Sequence, residues 1–424
     1  MPPKKKADDG EPKGAVRFGR VKNNLKMGLV GLPNVGKSSL FNLLTRQAVA
    51  AENYPFCTID PSEAKCPVPD QRFQYLVDLW KPPSVQPAML SVWDIAGLIK
   101  GASEGQGLGN AFLSHIASVD GIFHVVRAFE DDEVVHVEDS VDPIRDLETI
   151  QAELCLKDLS GLEKAVDICK DKIRKEKGIG RAAEPPLSET FVSARDKCLA
   201  LLNASTPIST GEFTNAEVDL IKHEFGNSLI TTKPMIYVIN LSKKDFIRKR
   251  NKWLGPIGNW VKEHGGGLCI PMSVEFEEDL WGLRDFPDQQ EQFLKDATAE
   301  AAALGLTGPQ FVAKSTLPRI IKTGYKTLNL INFLTAGEKE VKAWTVFQGA
   351  LAPQAAGVIH TDFERGFIKA EVASFEDFKK LHGGAASMAK LKEAGRYRQE
   401  GKTYVVQDGD IILFQFNVTA QKKK

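Results

Sequence analysis

A net charge is the first thing this 424-residue sequence lacks, since 55 acidic residues balance 55 basic ones. That balance excludes a chain that binds nucleic acid or membrane through its overall field, so any such surface must be local. Cysteine is scarce, six residues at positions 57, 66, 155, 169, 198 and 269, with no C-x-x-C pair among them. The scatter speaks against a zinc knuckle, a redox motif or a disulfide framework, and fits a reducing cytosol. A run of about 18 apolar residues is missing, and so is the apolar core of a secretory signal. A cytoplasmic protein without a transmembrane segment is expected, and its length calls for more than one domain.

What is present is organised around Gly31-Leu32-Pro33-Asn34-Val35-Gly36-Lys37-Ser38, which satisfies G-x-x-x-x-G-K-[ST] at every specified position. Leu25 to Val30 reads as a short apolar strand and Ser39 to Leu44 as the first turns of an amphipathic helix. In a strand–loop–helix of this kind the glycines let the backbone wrap round phosphates. The amides from Asn34, Val35 and Gly36 through Ser39 face the anion, and Lys37 reaches the β- and γ-phosphates. Ser38 offers its hydroxyl to Mg²⁺.

The segment Asn53 to Pro61 has turn residues and no clear period, and Thr58 in it is the candidate for a second Mg²⁺-contacting hydroxyl. Met89 to Gly97 reads as a buried strand ending in D-x-x-G, with Asp94 suited to the Mg²⁺ shell, indirectly, and Gly97 to the γ-phosphate. The next residue is Leu98, where many GTPases carry a glutamine that orients the attacking water; leucine can neither donate nor accept. His136, in the acidic loop from Glu130 to Asp142, is the candidate replacement, against the plainer reading of an exposed loop histidine. His124 lies inside an apolar strand and reads as a packed residue.

From Leu147 the pattern becomes helical. Leu159, Leu162, Val166, Cys169 and Ile173, then Leu187, Phe191, Ala194, Cys198 and Leu201, keep spacings of three and four. An antiparallel hairpin of coiled-coil type is expected between about Asp146 and Phe225, either as packing or as a projecting arm. Buried strands return at Pro234 to Asn240 and Leu268 to Ser273. Asn240 stands where guanine-binding proteins begin N-K-x-D, but the aspartate's register holds Lys243, which has donors and no acceptor, and Asp245 falls two positions late. Strict guanine selection is therefore not expected. The basic run Lys243, Lys244, Arg248, Lys249, Arg250 and Lys252 reads as a solvated face or a phosphate-contacting patch.

Together the phosphate loop, N-Y-P-F-C-T-I-D-P, D-I-A-G-L-I-K-G-A-S, G-Q-G-L-G-N-A-F-L and H-T-D-F-E-R-G-F-I-K-A-E-V resemble the YchF proteins, or Obg-like ATPases, over roughly Lys26 to Phe416. The resemblance implies an α/β fold: a P-loop NTPase domain of Obg type, a coiled-coil helical insertion and a C-terminal TGS domain of β-grasp type. It also implies Mg²⁺-dependent ATP hydrolysis, a cytosolic location and association with ribosomes or ribosomal RNA. By the same resemblance a mobile histidine matching His136 would replace the usual glutamine, Asn34 would help bind an activating K⁺, and Leu241 would lie against the adenine. The family's N-x-x-E has become N-x-x-K at Lys243, so both ATP and GTP are expected as substrates.

The expected organisation is a mobile basic and polar arm over 1–24, a nucleotide-binding unit over 25–145 and 226–306, the insertion over 146–225, the TGS domain over 328–416 and a basic tail over 417–424. Short β-rich runs at Leu328–Phe333, Ala343–Phe347, Gly366–Val372, Thr403–Val406 and Ile411–Phe416, with a helix near Phe375–Leu381, fit that last unit on their own. Protein regulators of turnover are possible partners and a monomer is the expected state. The competing reading is a nucleotide-gated scaffold whose hydrolysis is negligible.

Overall fold

The computed structural model describes residues 18, 22–50, 62–95, 115–131, 140–178, 185–225, 229–384 and 387–417. Thr58, Gly97, Leu98 and His136 lie outside them. Two six-stranded sheets, the helices around them and a helical arm make up the described chain.

The first sheet runs β2 (Glu63–Pro67), β4 (Met89–Asp94), β1 (Lys26–Val30), β5 (Gly121–Arg127), β6 (Met235–Asn240), β7 (Leu268–Met272). All neighbours are parallel except β2, which is antiparallel to β4. All seven residues of β5 are buried, as expected of a central parallel strand covered on both faces. Helix α1 (Lys37–Ala50) leaves the end of β1 through the phosphate loop. The register pairs Leu29 with Asp94 and Val30 with His124. It also pairs Asn240 with Arg127 and Met272. These pairings bring Asp94 and Asn240 to the carboxyl edge from which the loop springs, where open α/β sheets hold ligands.

The helical arm is built by strong local signals. Helix α3 (Pro143–Lys177) starts with Asp142 accepting from the Ile144 and Arg145 amides, has proline at its first position and stops at Gly178 with φ 64°. Helix α4 (Glu189–Asn203) is capped by Ser188. Leu162, Val166 and Cys169 face Phe191, Ala194 and Cys198 in a core separate from the sheets. At the last position Leu202 is the buried residue and Leu201 only packs at the edge. A 3.6-residue helix drifts from a strict three–four alternation, which accounts for the slip. Asp158 of α3 is 1% exposed and accepts from the Ile230 amide at 2.7 Å, the Thr231 amide at 2.6 Å and the Thr231 hydroxyl at 2.6 Å. It fixes the arm to the turn that feeds β6.

The second sheet runs β11 (Arg398–Glu400), β10 (Phe367–Ala373), β12 (Ile411–Phe416), β8 (Leu330–Ala336), β9 (Glu340–Phe347) and β3 (Ser84–Gln86). Thr403–Val406, read from sequence as a strand, is not one. Its Val405 forms an isolated bridge with Leu351, and the short strand comes earlier, at Arg398–Glu400. Hydrogen bonds from Ala352 to the Tyr404 carbonyl and from Val406 to the Ala350 carbonyl hold 404–406 as a loop against 350–352.

The unforeseen member is β3. It belongs by sequence to the nucleotide-binding stretch, yet it pairs in parallel with β9, Val85 opposite Val341. Helix α2 (Gln71–Trp80), just before it, carries the other ties. Arg72 bonds both Asp70 and Asp408 at 2.8 and 3.1 Å, the Asn332 amide donates to Asp70 at 2.9 Å, and the Tyr75 hydroxyl meets His382 at 2.6 Å. Leu29, Leu76 and Phe123 share one apolar cluster with Leu334, Phe378 and Ile411. Within the expected N-terminal arm, Phe18 is 8% exposed and packs edge-on against Phe213, and Asn23 accepts from the Phe347 amide.

Candidate nucleotide site

The phosphate loop leaves β1 between two other strands, and its shape depends on glycine at two places. Gly36 has φ 97°, and a Cβ there would come within 2.5 Å of the Asn240 side-chain amide. A Cβ on Gly31 would lie 2.5 Å from the Val125 carbonyl. Asn34, at φ 60°, takes a left-handed conformation that asparagine tolerates better than most residues.

Lys37 is 7% exposed, and its ammonium donates to the Leu32 carbonyl at 2.6 Å, curled over its own loop. Burial lowers its pKa to about 8, with Asp94 pulling the other way. Asp94 itself is raised by burial, against the attraction of Lys37 and a hydrogen bond with Ser38. An ammonium, a hydroxyl and a carboxylate thus meet where a triphosphate and its metal would lie. The hydroxyl–carboxylate pair is a donor set of the hard-oxygen kind that Mg²⁺ takes. Among the described residues no group of three or more His, Cys, Asp or Glu is placed to hold a metal.

His124 is 3% exposed, on the central strand. Burial, with Lys37 adding to it, pushes the imidazole down to about 3, so it is a neutral core residue. It offers no proton to the site near neutral pH.

Across the loop, Asn240 joins three segments. Its Nδ2 donates to the Val35 carbonyl and its Oδ1 accepts from the Val274 amide, each at 3.1 Å. Leu241 is 2% exposed and packs in the cluster with Val126 and Phe246. Lys243 opens helix α5 (Lys243–Arg248), but its ammonium is bonded to Asp279 at 2.6 Å and stands over the Phe293 ring. Asp279 and Glu275 belong to helix α6 (Val274–Gly282), which follows β7. Glu275 accepts from the Lys243 amide at 3.3 Å. Sequence reasoning missed both acids; their i, i+4 spacing directly after a sheet strand was the available signal. In the basic run beyond, Arg248 is paired with Glu300 and Lys252 with Glu130.

Comparisons with known proteins agree with this geometry. A family profile described as "50S ribosome-binding GTPase" matches residues 26–158. The profile YchF-GTPase_C, described as a protein of unknown function, matches 330–417. Obg-like ATPase 1 of Oryza sativa subsp. japonica is 48% identical over the whole of both chains. The chain belongs to the YchF family of Obg-like ATPases. The Homo sapiens Obg-like ATPase 1 is 47% identical, again over the whole of both chains. The structure of the Schizosaccharomyces pombe YchF GTPase superposes with a TM-score of 0.77 at 43% identity, covering 94% of this chain and 99% of that one. As a YchF protein the chain is a P-loop nucleotide hydrolase. Among the described residues no helix is long and apolar enough to cross a membrane.

Proposed function

We propose that this YchF protein hydrolyses ATP, and GTP as well, with Mg²⁺, and that the bound nucleotide governs its engagement with a ribosomal partner in the cytosol. The observation that carries the first part is the meeting of Lys37, Ser38 and Asp94 at the loop. Lys37 leaves the Leu32 carbonyl for the β- and γ-phosphates, and the loop amides share the remaining charge. Ser38 and Thr58 would offer their hydroxyls to Mg²⁺ and Asp94 would support its shell. Bound there, Mg²⁺ would offset charge on the transferring phosphoryl group. Gly97 senses the γ-phosphate, Leu98 leaves water to be held by another group, and His136 is that group. Asn34 serves a stimulating K⁺.

The link to a partner is supported by β3 and β4, which only Pro87 and Ala88 separate. One strand ends in Asp94 and the other is an edge of the second sheet, so a shift of the metal-bearing strand is felt in the C-terminal unit. A ribosomal partner is supported by the match of residues 26–158 to a family described as ribosome-binding GTPases.

The test is turnover of ATP and GTP by the whole protein, with and without purified ribosomes, and with sodium replacing potassium. Hydrolysis of both nucleotides, faster with ribosomes and with potassium, is expected. Hydrolysis of one nucleotide alone would overturn the dual-substrate reading. His136→Ala should lower kcat with nucleotide affinity kept, and unchanged turnover would remove His136 from the reaction.

A further inference from the structure

The base motif of this chain has lost its acid, since Lys243 occupies that register. A base held there would still need an acceptor, because both adenine and guanine present N–H donors along their edge. The Lys243 ammonium does not stand free to meet the base's acceptors in turn, for it is bonded to Asp279 at 2.6 Å and covered by the Phe293 ring at 4.9 Å. Directly beside it stands a carboxylate from another helix. Glu275 is exposed, follows Val274 in the chain and reaches to 3.3 Å from the Lys243 amide. Val274 is itself bonded to Asn240, which is bonded to the phosphate loop. The acid is therefore tied, through two residues, to the place where the phosphates are held.

We propose that Glu275 supplies the acceptor that recognises the purine's amino N–H, and that Asp279 serves it by keeping the Lys243 ammonium off it. Glu275 is the specificity-determining residue and Asp279 a positioning one. An ionised carboxylate accepts and does not donate, so it takes the 6-amino group of adenine or the N1–H and 2-amino group of guanine. A purine lacking these groups leaves it unpaired. The ligand class is an amino-bearing purine nucleoside triphosphate, which accounts for use of both ATP and GTP. This inference rests on the nucleotide reading of the phosphate loop.

The experiment measures, by calorimetry on the full chain, the affinities of ATP, GTP and purine riboside triphosphate, which has no exocyclic group. Wild-type protein is expected to bind ATP roughly tenfold or more tightly than purine riboside triphosphate, the scale of a hydrogen bond to a charged group. Glu275→Ala should bring the two affinities together by weakening ATP alone, and Glu275→Gln, whose carbonyl still accepts, should retain part of the gap. Unchanged affinity for purine riboside triphosphate shows that each variant is folded. Asp279→Asn should also narrow the gap, because the released ammonium takes Glu275. An ATP-to-purine ratio unaltered in Glu275→Ala, with binding intact, overturns the proposal and leaves the phosphate-loop reading standing. Absence of nucleoside triphosphate binding by wild-type protein overturns both.

Discussion

The Asn240 side-chain amide donates to the Val35 carbonyl at 3.1 Å, so a residue of the base-motif segment is also a support of the phosphate loop. The asparagine is 3% exposed, and removing it leaves the Val274 amide without its partner as well. Asn240→Ala is expected to weaken ATP, GTP and purine riboside triphosphate to the same degree, by about 1–3 kcal/mol. Equilibrium binding of the three ligands checks this. A change in base preference with the shared affinity kept would contradict the supporting role.

Lys37 gives a pH dependence. Burial has brought its pKa down to about 8 in the free protein, and a bound triphosphate raises it again by stabilising the ammonium. Binding is then pH-independent with respect to this group below about 8, and above it each association takes up a proton. Affinity should fall towards tenfold per pH unit between about 8 and 10. Calorimetry in buffers of different ionisation enthalpy reads the proton uptake directly, and its absence at pH 9 would show that the free ammonium is not destabilised.

Arg72 is the hinge pin between the sheets, bonded to Asp70, to the Asp408 carboxylate and to the Asp408 carbonyl. Its side chain is 27% exposed, so the charge pairing is partly screened. Arg72→Ala should cost about 1–2 kcal/mol and speed amide exchange in β3 and β9 more than in β5. Uniform acceleration across both sheets would mean that the ties act only on global stability.

Asp158 gives a second pH dependence, of stability. Burial raises its carboxyl from an ordinary aspartate's value to about 6, although three donors favour the charged form. Between about pH 4 and about 6 the folded state then holds a proton that the unfolded chain has released, so stability declines as pH rises through that window. The decline is at most about 3 kcal/mol for this group. Asp158→Asn removes that slope, and chemical unfolding of both proteins at pH 4.5 and 7 checks it through the difference between them.

Local chemistry made much of this architecture legible. The phosphate loop announces itself by fixed spacing, α3 and α4 by their spacings of three and four, and β6 by a continuous apolar run. What stayed hidden depends on pairs distant in sequence. Ser84–Gln86 is three residues with no period of its own, and only its partner β9, some 250 positions on, makes it a strand. The ion pair of Lys243 with Asp279 spans 36 positions and the Glu275 contact 32. Residue 243 alone shows a missing acid; the fold is needed to bring another beside it.

The borrowed strand has a consequence for dissection of the molecule. A fragment cut at the boundaries that the C-terminal family profile suggests, 330–417, would leave β9 without its outer neighbour and lay its backbone amides and carbonyls open. Such a bare edge invites pairing with a second copy. The C-terminal piece expressed alone is a sticky object, and its behaviour in isolation would misreport that of the intact chain, where the nucleotide-binding unit itself closes the sheet.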